Sequence, residues 1–181
     1  MIKKLLRKML HLVDNNDEIA VARSLGVRVG DGCVINDNAR KVFNTEPYLI
    51  TLGNNVTIAS DVRFITHDGA IGVLRCNEDY KDKDLLAPIV VGNNVFIGIR
   101  SIILPGVHIG DNVIIGAHSL VVKDIPNDTV AAGSPAKPIC TIKQFSEKLR
   151  HSKKMVVPTK GMSAEQKKEY LYENFPEWFN I

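Results

Sequence analysis

The 181-residue chain carries 23 Lys and Arg against 20 Asp and Glu, and this net charge of +3 is too small to mark a nucleic-acid binder. Hydrophobic residues make up 45%, enough for one real core with a small appendage, and no apolar run reaches the length expected of a membrane span or a signal peptide. Cys33, Cys76 and Cys140 form an odd set without metal-ligand spacing, which points to a reducing, cytoplasmic compartment.

Residues 1–13 place Lys3, Lys4, Arg7 and Lys8 among Ile2, Leu5, Leu6, Met9 and Leu10, the pattern of a basic amphipathic helix. Its expected role is to cover the end of a strand stack, where open edges invite aggregation, or to contact a partner. The alternative role is weak attachment to an anionic membrane surface at the inner face. A second helix is expected over residues 17–24, which closes an N-terminal cap of residues 1–24.

Further along, Val91, Ile97, Ile103, Ile109, Ile115 and Val121 recur every six residues without a slip. Residues two apart in a strand face the same side, so Val95 with Ile97, Val107 with Ile109 and Val113 with Ile115 are expected to point inward. Gly92, Gly98, Gly110 and Gly116 follow the repeated positions, and Asn93-Asn94 and Asp111-Asn112 suit the positive backbone angles of corners. One strand and one corner per hexad make a side, and three sides close one turn. The expected turns are residues 52–69, 91–108 and 109–126, with an earlier one around 29–35 in which Cys33 is an inward side chain. A helix would need a 3.6 period. The pattern predicts an all-β solenoid over residues 25–139, each repeat stacking on its neighbours.

The rhythm breaks between Gly69 and Val90, where Glu78, Asp79, Tyr80, Lys81, Asp82, Lys83 and Asp84 form a polar stretch. A solenoid can expel such a segment as a loop, here residues 70–88, and such insertions often wall a binding site. His67 stands just before it, near a corner, where an imidazole can take a proton from a hydroxyl or amine during group transfer. The alternative is a plain surface histidine. His108 and His118 raise the question of a zinc site, but they lie ten residues apart at different hexad positions, so no metal is expected and both should face outward. After Pro126, residues 127–138 with Gly133, Pro135 and Pro138 are expected to form an extended loop. Residues 143–151 look helical, and Ser163 with Gln166 makes a capping box for a helix ending before Pro176, giving a C-terminal helical extension over 140–181.

Taken together, the segment Pro88-Ile89-Val90-Val91-Gly92-Asn93-Asn94-Val95-Phe96-Ile97-Gly98, with Leu104-Pro105-Gly106-Val107, Val122-Lys123-Asp124-Ile125-Pro126 and Ala131-Ala132-Gly133-Ser134-Pro135-Ala136-Lys137, resembles the hexapeptide-repeat acyltransferases. Thr66-His67-Asp68-Gly69 and the closing motif resemble the branch that acetylates galactosides, maltose, nodulation factors and capsule or lipopolysaccharide sugars. The resemblance implies a left-handed parallel β-helix, against the usual right-handed crossover, assembled as a homotrimer. It implies acetyl-CoA as donor, His67 as general base, and a backbone amide at Gly98 or Ile99 for the oxyanion. It places Phe96, Gly98, Ile99, Ala117, Val122, Lys123, Gly133, Ser134 and Lys137 along coenzyme A, in a groove between subunits. Relatives carry tryptophan at the position of Phe96 and serine at that of Ile99.

On the acceptor side Glu46 is a candidate for hydrogen bonds to sugar hydroxyls, with a solvated turn carboxylate as its alternative. Asn38, Asp68, Arg75 and Tyr80 are weaker candidates. The function these expectations describe is acetyl-CoA-dependent O-acetylation of a sugar, in surface-polysaccharide synthesis. N-acetylation of an amino-sugar nucleotide, O-acetylation of an antibiotic, and a non-catalytic scaffold stay open as alternatives.

Overall fold

Aliphatic residues two apart become strands of two or three residues in the computed structural model, which describes residues 18–152 and 157–179. Three sheets make the sides of the stack, and a fourth of two strands lies at the excursion loop. The first holds β1 (Arg28–Val29), β3 (Ile50–Leu52), β8 (Ile89–Val91) and β11 (His108–Ile109). The second holds β2 (Val34–Ile35), β4 (Val56–Ile58), β9 (Val95–Ile97), β12 (Val113–Ile115), β14 (Thr129–Gly133) and, at its edge, β15 (Ala136–Thr141). The third holds β5 (Arg63–Phe64), β10 (Ile102–Ile103) and β13 (Leu120–Val121). From β3 to β13 the strands of these three sheets follow one another in a fixed cycle, and the pairings within the three sheets are parallel except that of β14 with β15.

The register carries the hexad arithmetic. Val90 pairs with His108, Phe96 with Ile114 and Ile102 with Leu120, each 18 positions on, which is three hexads. One turn earlier Thr51 pairs with Val90, Thr57 with Phe96 and Arg63 with Ile102, all 39 apart. The same excess at all three sides means the excursion loop is expelled without disturbing the stack. Inside, Leu52, Val91 and Ile109 form one column, Ile58, Ile97 and Ile115 a second, and Phe64, Ile103 and Val121 a third, none more than 2% exposed. Burying each such side chain is worth about 1.5–3 kcal/mol.

The corners are as tightly fitted as the core. A Cβ on Gly92 would lie 2.5 Å from Asp111 Oδ1 and 2.8 Å from the carbonyl carbon of Gly110, so the stacking distance itself demands glycine there. Beside these glycines runs a ladder of side-chain carbonyls. Asn54 Oδ1 accepts from the Asp31 amide at 2.8 Å, Asn93 Oδ1 from Asn54 at 2.9 Å, and Asn127 Oδ1 from Asp111 at 2.8 Å. Corner amides that no strand can pair are satisfied this way. The Asn93 amide, followed by its side chain, also holds the Asp111 carboxyl below the usual range.

Three segments differ from the sequence expectation or fall outside the structure. Residues 127–138 are a hairpin and not an extended loop: β14 adds a rung to the second sheet, with Val130 beside Ile114 and Ala131 beside Ile115, and β15 folds back against it. The β-branched pair Thr129-Val130 supports the strand, Gly133 at φ 106° makes the turn, and Pro138 is tolerated because β15 is an edge strand. A short helix α2 (Ala39–Val42) after α1 (residues 18–24) lengthens the first turn, its cap Asn38 accepting from the Arg40 amide. The basic helix expected over 1–13 lies outside the described residues. The chain divides into two compact units, Met1–Ser146 and Glu147–Ile181. α3 (Ile142–Arg150) spans that division, and α4 (Ala164–Asn174) in the second unit starts on the predicted Ser163–Gln166 capping box. No described helix is long and apolar enough to cross a membrane.

Asp37 staples the first turn to the second. Its carboxylate accepts from the Asp61 amide at 2.8 Å and the Asn38 amide at 2.7 Å, and Arg63 Nη1 lies 3.9 Å away. The Asp61 amide leads in holding this carboxyl below its ordinary value. A depressed folded pKa adds stability above the unfolded value of about 3.9 and loses it as pH falls through the folded one. Asp37→Ala is therefore expected to lose roughly 1–3 kcal/mol at pH 7, with the gap to wild type closing below about pH 4. Urea titrations across that range test it; a pH-independent gap would refute the staple.

Candidate active site

The excursion leaves and rejoins the stack at one place. β6 (His67–Asp68) pairs antiparallel with β7 (Leu85–Leu86), His67 opposite Leu86 and Asp68 opposite Leu85. The base of the loop is thereby clamped at the histidine. Just inside, Thr66 is fully buried and its Oγ1 lies 2.6 Å from the Thr45 carbonyl and 3.1 Å from Glu46 Oε2.

Glu46 sits at φ 39°, ψ 54°, a left-handed conformation that a glutamate adopts only when its surroundings enforce it. That turn aims its carboxylate at His67, with Oε1 3.4 Å from Nδ1. The histidine side chain is 31% exposed and the glutamate 20%, so the pair is partly screened from water. A carboxylate only accepts, so this contact requires a proton on Nδ1, and the neutral ring then presents its lone pair at Nε2. This is the tautomer a general base needs. Nε2 faces the loop, where Asp84 Oδ1 lies 3.9 Å away and is held by Arg75 Nη2 at 2.7 Å.

Of the acceptor candidates, Glu46 and Arg75 thus belong to the His67 cluster, Arg75 through Asp84. Asp68 is engaged elsewhere, its Oδ1 capping the Ala70 amide at 2.9 Å. Asn38 caps α2. Tyr80 lies exposed in the loop, with Lys83 Nζ 5.8 Å from its ring centre. Thr66 and Asp84 were not singled out from the sequence. The apolar Leu85-Leu86 pair closing a polar stretch is the signal that the loop ends in a short strand beside Asp84.

The residues expected along coenzyme A lie apart from this cluster; no hydrogen bond or ion pair joins them to His67 among the described residues. Phe96, Ile99 and Val122 are apolar yet 44%, 42% and 38% exposed. Phe96 lines a groove of about 300 Å³ on the outer face of the second sheet, with Thr57, Asn94, Asn112, Ile114 and Ile142. Ala117, Lys123, Gly133, Ser134 and Lys137 are exposed. The Gly98 amide donates to the Ile115 carbonyl at 2.8 Å and is consumed by the ladder. Ile99 is the next residue, beyond the strand, and its amide makes no hydrogen bond among the described residues. Of the two amides considered for an oxyanion, Ile99 alone is available. Gly98 matters for packing, since a Cβ there would lie 2.6 Å from the Ala117 nitrogen. His108 and His118 are exposed, His118 at φ 57° in a corner.

Comparison with known proteins gives the same outline. Residues 88–123 match the family described as bacterial transferase hexapeptide (six repeats). Protein CapG of Staphylococcus aureus is 47% identical over 176 residues, which cover 97% of this chain and 98% of CapG. Galactoside O-acetyltransferase of Escherichia coli K12 is 36% identical over 154 residues, 82% of this chain and 71% of that protein. The chain belongs to the hexapeptide-repeat acetyltransferases. A crystal structure of a hexapeptide-repeat-containing acetyltransferase from Vibrio cholerae superposes with a TM-score of 0.52 at 27% identity, over 65% of this chain and 63% of that one. Hexapeptide-repeat acetyltransferases owe their name to the hexads whose register is described above, and here the longest interruption of that register begins beside His67.

Proposed function

We propose that this protein is a sugar O-acetyltransferase, a homotrimeric left-handed parallel β-helix that uses acetyl-CoA in surface-polysaccharide synthesis. The observation that carries the reading is His67, turned by Glu46 so that Nε2 is the free base at the mouth of the excursion loop. The likeness to a galactoside O-acetyltransferase, aligned over 82% of the chain, supports a sugar acceptor. Exposed Phe96, Ile99 and Val122 suit the pantetheine arm, and Lys123 and Lys137 suit its phosphates. A neighbouring protomer would bring that surface to His67.

In the reaction, the acceptor hydroxyl gives its proton to His67 Nε2 as its oxygen attacks the thioester carbonyl carbon. The Ile99 amide receives the developing oxyanion, a single donor of this kind being worth roughly 10²–10³-fold. Collapse breaks the carbon–sulfur bond, and the imidazolium returns its proton to the leaving thiolate. Glu46 steadies the imidazolium and acts as a positioning residue.

The test is thiol release from acetyl-CoA with a panel of hexosides and sugar nucleotides, the product examined for an ester. Acceptor-dependent release with an O-acetyl product is expected. An amide product, or no release with any member, would overturn the reading. In the same assay Glu46→Gln should lower kcat about tenfold or more, part of the roughly 10²–10⁴ that a placed base contributes, with acetyl-CoA affinity unchanged. Equal loss of acetyl-CoA binding would make Glu46 merely structural.

A further inference from the structure

The excursion loop brings a second carboxylate to His67 that the proton transfers above leave unused. We propose that Asp84 selects the acceptor by binding the hydroxyl adjacent to the one acetylated, so that the site takes vicinal diols. The inference rests on His67 being the base of a hydroxyl-directed acetyl transfer.

Asp84 Oδ1 stands 3.9 Å from Nε2, too far for a direct hydrogen bond. With the Nδ1 proton turned to Glu46, the two atoms facing each other across that gap are both acceptors. Such a pair calls for a partner that brings two donors. Adjacent hydroxyls on one sugar supply them: the first donates to Nε2 and becomes the nucleophile, and its neighbour donates to the Asp84 carboxylate. Asp84 is not carried there by a loose loop. Leu85, next in the chain, is locked opposite Asp68 by backbone pairing, and Arg75 Nη2 holds Oδ1 at 2.7 Å. Oδ2 makes no hydrogen bond among the described residues and is open to accept. Arg75 is the positioning residue, and its charge is matched by the carboxylate it holds, which leaves the mouth suited to an uncharged diol. An acceptor lacking the neighbouring hydroxyl leaves Asp84 unpaired. Loss of one hydrogen bond to a charged group lowers kcat/KM by roughly 10- to 100-fold.

The experiment compares kcat/KM for methyl hexopyranosides and their monodeoxy analogues, with acetyl-CoA as donor, in wild type, Asp84→Ala, Arg75→Met and Arg75→Lys. In wild type, removing one particular neighbouring hydroxyl should cost roughly 10- to 100-fold. Asp84→Ala should bring the parent hexoside down to its deoxy analogue, a ratio within about threefold, while acetyl-CoA binding by calorimetry is retained. Arg75→Met should reduce the same ratio and Arg75→Lys should restore part of it. A wild-type ratio kept in Asp84→Ala, or a wild type indifferent to every single deoxygenation, overturns the inference while leaving the O-acetyltransferase reading intact. If wild type acetylates no hexoside the inference fails, and if it acetylates no sugar nucleotide either the O-acetyltransferase reading fails with it.

Discussion

His67→Ala is expected to cut acetyl transfer by about 10²–10⁴-fold in kcat/KM, the range a positioned general base contributes. The expectation follows from how little else the imidazole does. Its strand is held by backbone pairing with β7, and its ring is partly exposed, with Glu46 and Asp84 as its polar neighbours among the described residues. The variant should keep the wild-type melting temperature, oligomeric state and acetyl-CoA affinity. The hydroxyl nucleophile would then have to lose its proton to water, while Ile99 and the bound thioester stay in place. Single-turnover acetyl transfer, measured beside calorimetric acetyl-CoA binding, checks this. Turnover unchanged within a few-fold would remove His67 from the chemistry, and a loss of acetyl-CoA binding would make it a structural residue.

The inward residues were legible from the chain because their period is two within a strand and six between sides, and no other element has that rhythm. Leu52, Ile58 and Phe64 keep it before the loop and Val91, Ile97 and Ile103 after it, so both the stack and its interruption could be located. His67 was legible for the same reason: it is the histidine at the interruption. Glu46 was a candidate for sugar hydroxyls, but its place against the imidazole was not legible, and neither was that of Asp84. Glu46 reaches it through a left-handed backbone at a position outside the hexads, and Asp84 returns through a two-residue antiparallel pairing too short to carry a period. The β14–β15 hairpin was hidden because Gly133, Pro135 and Pro138 signal a break in structure, while an edge strand tolerates the proline. α2 was hidden because four residues with one capping asparagine give no periodic signal.

Phe64→Ala is expected to cost about 3–5 kcal/mol of stability and to lower acetyl transfer as well. Phe64 is 1% exposed and its ring centre lies 5.2 Å from that of Phe43, itself 1% exposed, at a tilt of 44°. The pair fills the third side of the stack where α2 meets β5. The residue two further on is Thr66, on the same face, and its hydroxyl holds the Thr45 carbonyl and the Glu46 carboxylate. A cavity in place of the Phe64 ring therefore opens beneath the turn that aims Glu46 at His67. Ile103→Val, one column neighbour away, removes a single methyl group from an equally buried site and should cost only about 0.5–1.5 kcal/mol with activity retained. Urea unfolding and acetyl transfer measured on both variants separate the effects. Equal activity in the two at a temperature where both are folded would mean that the aromatic pair supports the stack but does not support the Glu46–His67 geometry.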